Sequence, residues 1–402
     1  MSALSIRQAE FVTQILSHVL SQFTSLDRAY SQHFANQALS SSDKSLISQC
    51  CGDIIRRLNL FCYLADVPQD EASEQPEKLL TVWHYLQQLD APMLLKQAML
   101  NRAEFDERLA QAKQQSQLWQ GCPDWLESLG QSQLGAAWPK EREAMAQRPG
   151  RFIRVNTLKT TSHELQASLQ QAGIASETVA DAPEALSILS EGALFQTEAY
   201  QSGWFEQQDA GSQLVAAALD VKPGMKVFDA CAGNGGKTLA LAAAMQGRGR
   251  LLAMDVEEWK LKNLKQRAKR AGAHNVETRL IESSKTIKRR KMTADRLLLD
   301  VPCSGLGVLK RKPLAKWHDT AERLGHLTQL QQDILQRYSQ LLKVEGILVY
   351  ATCSILPIEN ELQVKQFLQN NPNFTLLEQQ TISPSETGFD GFYWAKIQRQ
   401  QA

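Results

Sequence analysis

Long apolar runs are missing from this 402-residue sequence: none reaches the 18 residues that a membrane-spanning helix needs. The first residues, "MSALSIRQAEFVTQIL", mix acid and amide groups where a secretory leader would be continuously apolar. A cytoplasmic protein with no membrane partner is therefore expected. Cysteines at metal-ligand spacing are missing as well. Seven cysteines, an odd number, stand at 50, 51, 62, 122, 231, 303 and 353 without one Cys-x-x-Cys pair, which argues against a disulfide framework and against a zinc ribbon. No metal is expected. Cys50 and Cys51 read as buried helix residues, the usual place of free cysteine. Solenoid and collagen periods are absent. So is a strong overall charge: 44 Lys and Arg against 43 Asp and Glu leave +1, so any polyanion contact must come from local clusters.

What remains is an ordinary globular composition, 43% hydrophobic and 22% charged, on a chain long enough for two or three domains. Two basic clusters stand out. One runs from Lys260 to Lys291 with only Glu277 and Glu282 against it, and reads equally as a solvated helix face. The other, Lys310, Arg311, Lys312 and Lys316, directly follows Cys303 and is placed for a polyanion. Trp317 beside it reads as a core residue, with base stacking as the alternative.

Residues 1–120 read as all-α. Phe11, Ile15, Val19 and Phe23 recur at spacings of four, "SSSD" at 40–43 is an N-cap signal, and helical patterns resume at 79–90 and 91–115. Residues 121–205 read as a linker helix plus a small α+β module, starting near Pro123 and carrying the strand "RFIRVNTLK". This module reads as an adaptor with no site of its own. From 206 to 402 short apolar strands alternate with amphipathic helices, the pattern of a parallel, doubly wound Rossmann-like α/β sheet. Ligands sit at the carboxyl ends of such strands. Asp229, Asp255, Asp300 and Cys353 all fall there.

"FDACAGNGGKT", 228–238, places an acid at a strand end and then glycines leading into a helix, so that backbone can approach a ligand and helix N–H groups can face it. Cys231 stands where a P-loop needs glycine, and the dinucleotide Gly-x-Gly-x-x-Gly spacing is absent too. An acid-first loop with a second acid, Asp255, ending the next strand suits S-adenosylmethionine, although Asp255 also reads as a cap for the helix that follows. The loop after Asp300 reads Val-Pro-Cys, which disfavours methylation of an exocyclic adenine amine. Carbon 5 of a pyrimidine is a poor nucleophile until a thiolate adds at carbon 6, and a second group must then help the product leave. Two thiols at matching strand ends, Cys303 and Cys353, suit that chemistry.

"DVPCSGLGVLKRKP", "YATCSILPIENE", "DACAGNGGKT", "RVNTLK" and "DGFYWAKI" together resemble the RsmB, Sun and NOP-type RNA cytosine-5 methyltransferases over about residues 120–397. The resemblance implies a class I methyltransferase fold and Cys353 as nucleophile, with Cys303 assisting release and Asp300 between cofactor and base. It also implies that Cys231, Ala232, Gly233, Asn234, Gly235, Gly236, Lys237, Asp255 and Asp300 contact S-adenosylmethionine, with Lys237 alternatively orienting Asp300 or a phosphate. Glu282 stands where the family has an aspartate, and Asn234 where many members have proline. The N-terminal helices weakly resemble a NusB-like RNA-binding domain. The implied substrate is RNA, ribosomal before transfer RNA, presented as a flipped or unpaired cytosine to a monomer. Lys310, Arg311, Lys312 and Lys316 would then meet its phosphates. A non-catalytic RNA-binding assembly factor on the same scaffold is the competing reading, and a DNA methyltransferase is disfavoured because it would have no use for Cys353.

Overall fold

The computed structural model describes residues 3–89, 100–190, 192–318 and 321–401. The first part of the helix expected over 91–115 lies outside them; the rest forms the helix Arg102–Gln114. The chain divides into two compact units, Met1–Arg148 with Val308–Thr320, and Pro149–Gly307 with Ala321–Ala402. Among the described residues no helix is long and apolar enough to cross a membrane.

The first unit is helical. Helices Ile6–Gln22 and Ser41–Arg56 turn their apolar spacings inward, so that Ile15, Leu16, Ile47 and Ile54 share a core with Phe61, Trp83 and Phe105. The Ser40–Asp43 pair forms a reciprocal capping box at the start of the second of these, as its sequence predicts. Cys50 and Cys51 are buried in that helix.

The second basic cluster belongs to this unit and departs from expectation. Lys316 is 5% exposed, and its ammonium donates to the carbonyls of Arg56 and of Gly121, the latter at 2.8 Å. Burial pushes its pKa down to about 7. Lys310 is buried too, and its carbonyl accepts from Arg56 at 3.0 Å. Trp317 donates to the carbonyl of Ile55 at 2.9 Å and packs on the helical core. The four phosphate-facing cations thus reduce to half-buried Arg311 and exposed Lys312. A lysine with apolar neighbours and free carbonyls within reach turns inward, and charge pattern alone does not reveal the direction.

The second unit holds two sheets. Strands β1 (Phe152–Val155), β2 (Ser176–Val179), β3 (Ala182–Ile188) and β4 (Phe205–Gln207) form an antiparallel sheet of order β2-β3-β1-β4. The larger sheet contains β5 (Lys226–Asp229), β6 (Arg250–Asp255), β7 (Val276–Leu280), β8 (Ala294–Asp300), β9 (Leu342–Thr352), β10 (Phe374–Ile382) and β11 (Phe392–Arg399). Its order is β10-β11-β9-β8-β5-β6-β7, parallel from β9 to β7, as expected for a Rossmann-like methyltransferase sheet. Within β8 the run Leu297–Leu299 is apolar and fully buried, as a central strand covered on both faces requires. The antiparallel pair β10–β11 beside β9 was not anticipated.

Candidate active site

The parallel strands β5, β6, β8 and β9 deliver Asp229, Asp255, Asp300 and the residue before Cys353 to one edge of the sheet. After β5 the chain turns through Gly233 (φ 54°) and Gly235 (φ 85°) into the helix Gly236–Ala244. Gly235 is doubly constrained: its backbone is left-handed, and a Cβ there would stand 2.0 Å from Cδ1 of Leu264. The turn is tied to β6 by Asp255, whose carboxylate accepts from the N–H of Gly233 at 2.8 Å and of Glu257 at 2.9 Å. Asp255 therefore organises the loop and the turn before the helix Glu258–Ala271, whose N-cap is Glu257 without a side-chain cap, and each oxygen keeps a second acceptor direction for a ligand. Asn234 is exposed in the loop, Ala232 is buried beneath it, and Glu282, two residues past β7, is exposed.

Asp229 is 1% exposed and accepts from the Thr238 hydroxyl at 2.7 Å, while its other oxygen has no hydrogen-bond partner among the described residues. Burial, with the nearby Asp300 charge adding to it, pushes its carboxyl up to about 7. Between the ordinary carboxylate value of ~4 and about 7 the folded chain keeps a proton that the unfolded chain has released. Stability is lost as pH rises through that window. Asp229→Asn keeps an acceptor for Thr238 and does not titrate, so its thermal midpoint should gain on the wild type's as pH rises from ~4 to ~8 in ligand-free protein. A constant gap across that range would refute the assignment.

Lys237, 9% exposed in the first turn of the helix, donates to Asp300 at 2.7 Å and stands 5.1 Å above the Phe392 ring. Burial would lower its pKa, but the Asp300 carboxylate beside it, with Cys353 and Asp229 contributing, raises it and keeps the ammonium charged. Lys237 thus orients Asp300, one of the alternatives the sequence left open.

Cys303 and Cys353 come from separate loops, yet their sulfurs lie 3.1 Å apart and the N–H of Cys353 donates to the Cys303 sulfur at 3.2 Å. The hydrogen bond with Cys353, then burial and the charge of Glu359, hold the Cys303 thiol well above its usual range. Either sulfur can donate in this pair, and the Cys303 sulfur also accepts from the Cys353 N–H. Cys231 is a different kind of thiol: burial and the surrounding acids Asp229, Asp300 and Asp255 hold it protonated.

Two residues missed from sequence set the thiol loops. Glu359 is fully buried and accepts from the Ser304 N–H at 2.8 Å, the Ser304 hydroxyl at 2.6 Å and the Gln331 amide at 2.9 Å. Asn360 accepts from the Thr352 hydroxyl at 2.5 Å and donates to the Ser354 carbonyl at 3.1 Å. One turn, Pro357–Glu359, with the residue after it thus holds the residues flanking both cysteines. Gly307 closes the stack, with its N–H on the Cys353 carbonyl at 3.0 Å and its own carbonyl accepting from Gly391 at 2.7 Å. A Cβ there would meet the Gly391 oxygen at 2.2 Å.

Comparison with known proteins gives this geometry a lineage. A family model described as 16S rRNA methyltransferase RsmB/F matches residues 216–398, and one described as the RsmF/B-like ferredoxin-like domain matches residues 122–194. A probable ribosomal RNA small subunit methyltransferase B of Synechocystis is 36% identical over 63% of this chain and 57% of its own. Ribosomal RNA small subunit methyltransferase B of Vibrio cholerae is 35% identical over 70% of this chain and 66% of its own. The matched part of the chain thus spans somewhat over half of the first relative's length and just under two thirds of the second's. A solved methyltransferase homologue from Pyrococcus horikoshii is 29% identical and superposes with a TM-score of 0.63 over 71% of this chain and 97% of its own. With its small domain and its methyltransferase domain both matched, the chain belongs to the RsmB/F methyltransferase family.

Proposed function

We propose that the chain transfers a methyl group from S-adenosylmethionine to carbon 5 of a cytosine in RNA, with small-subunit ribosomal RNA as substrate. The observation that carries this reading is the pair of sulfurs, 3.1 Å apart at adjacent strand ends, beside the Lys237–Asp300 ion pair. The names of the relatives point to ribosomal RNA.

The loop fits the cofactor. Gly233, with open space where a side chain would stand, leaves room for its amino-acid end near the helix N-terminus, the unpartnered buried oxygen of Asp229 lies beneath the loop, and Asp255 retains acceptor directions for a ribose diol. When bound, S-adenosylmethionine supplies an electrophilic methyl group. The Cys353 thiolate adds to carbon 6 of the cytosine, with the charged Lys237 favouring the anion. Electron density then reaches carbon 5, which takes the methyl group. Asp300, oriented by Lys237, faces the cytosine; a general base then takes the carbon 5 proton, the ring double bond re-forms, and the carbon 6–sulfur bond breaks with its electron pair on Cys353, a departure that Cys303 assists. Arg311 and Lys312 contact backbone phosphate, the helical residues 1–120 bind RNA, and residues 206–402 carry the chemistry.

Unmodified small-subunit ribosomal RNA incubated with the protein and methyl-labelled S-adenosylmethionine should yield 5-methylcytosine, located by bisulfite sequencing. Label on another atom would sink the cytosine assignment. RNA binding with no label transferred would favour the non-catalytic assembly factor.

A further inference from the structure

Asn234 lies between the two left-handed glycines of the cofactor loop, where the backbone has most freedom and ordering costs most. Its carbonyl accepts from Nη1 of Arg267 at 2.7 Å. The same guanidinium is held by Glu206 on β4, whose Oε2 accepts from Nη2 at 2.8 Å and from Nε at 3.2 Å. Glu206 is 3% exposed, and its other oxygen accepts from Arg270, which stacks 4.0 Å from the Tyr200 ring. A planar guanidinium pinned along one edge aims its remaining amino group in a fixed direction, which a lysine would not do.

We propose that Glu206 and Arg267 form a clasp by which the small antiparallel sheet preorganises the glycine loop and so sets its affinity for the cofactor. The module is then more than an adaptor. The inference rests on the reading of that loop as the S-adenosylmethionine site. Arg267 is a positioning residue: it holds a carbonyl of the loop, and the tightening follows because the loop is ordered before the ligand arrives.

The test is calorimetric binding of S-adenosylhomocysteine to the full chain, beside steady-state kinetics. Arg267→Gln should weaken binding roughly tenfold, the loss of one charge-assisted hydrogen bond. The KM for S-adenosylmethionine should rise by a similar factor, with kcat at saturating cofactor within about twofold and RNA affinity unchanged. Arg267→Lys, which keeps the charge and loses the fork, should fall between. Adding Glu206→Gln to Arg267→Gln should cost little more, since both break one clasp. Wild-type affinity in Arg267→Gln and Arg267→Lys would overturn the clasp, as would an equal loss of RNA affinity. If Arg267→Gln fails to fold by circular dichroism, Arg267→Lys decides alone. A wild-type chain that binds no S-adenosylhomocysteine would overturn the cofactor reading itself and the clasp with it.

Discussion

Replacing Cys353 with alanine should lower methyl transfer on the order of 10⁴-fold or more, since a reaction that proceeds through a covalent adduct has no second route once its nucleophile is gone. No adduct with RNA should form. Cys303→Ala should behave in the opposite way: addition and methylation proceed, release stalls, and a denaturation-resistant RNA–protein complex accumulates. The contact between the two sulfurs is the physical basis: they lie 3.1 Å apart, and the hydrogen bond with Cys353, then burial, hold the Cys303 thiol well above its usual range. Band shifts on a denaturing gel with labelled RNA read both outcomes. Substantial activity in Cys353→Ala, or adduct formation by that variant, would reverse the assignment. An adduct absent from both variants would argue against covalent chemistry altogether.

The parallel sheet and its functional edge were legible because both leave periodic or positional marks. An apolar strand that ends on Asp or Cys is an unusual place for a reactive group, and four such endings, Asp229, Asp255, Asp300 and Cys353, mark one edge. The glycine turn was equally plain, although only the structure adds that Leu264 forbids a side chain at Gly235. Lys316 was misread because a basic cluster looks the same whether an ammonium group meets water or, as here, the carbonyls of Arg56 and Gly121, and the burial of Lys310 beside it leaves no mark in the sequence either. β10 was missed because its middle, "LEQQ", interrupts the alternation of a half-buried strand. The clasp at Glu206 joins residues 28 to 61 positions apart in sequence, and no local pattern reports such pairs. Glu359 and Asn360 stood within "YATCSILPIENE" all along. Their one local sign was Pro357, which can open a helical turn, and nothing in the sequence says that the acid after it is buried.

Glu359 should therefore prove the most costly residue outside the thiols. Removing its carboxylate in Glu359→Ala leaves the Ser304 N–H, the Ser304 hydroxyl and the Gln331 amide without this acceptor in a site closed to water. The Gln331 amide keeps the Pro302 carbonyl and the Ser304 hydroxyl can turn to Ser354, so the stranded Ser304 N–H sets a cost of about 1–3 kcal/mol, read as a drop in the midpoint of denaturant unfolding. The Pro-Cys loop would lose its anchor with it, and activity should fall at least ~100-fold even where the variant is fully folded, since reacting groups displaced by about 1 Å lose that much. Glu359→Gln separates geometry from charge. Its amide oxygen can keep the Ser304 N–H and Gln331, and the Ser304 hydroxyl can turn to accept from the new amide, so the fold should survive with a small loss. What changes is the charge beside Cys303. Glu359 helps to hold that thiol protonated, so the pH at which Cys303 becomes alkylable in Cys353→Ala protein should move down in Glu359→Gln. An unmoved alkylation profile would confine Glu359 to holding the loop, and full activity in Glu359→Ala would deny it even that.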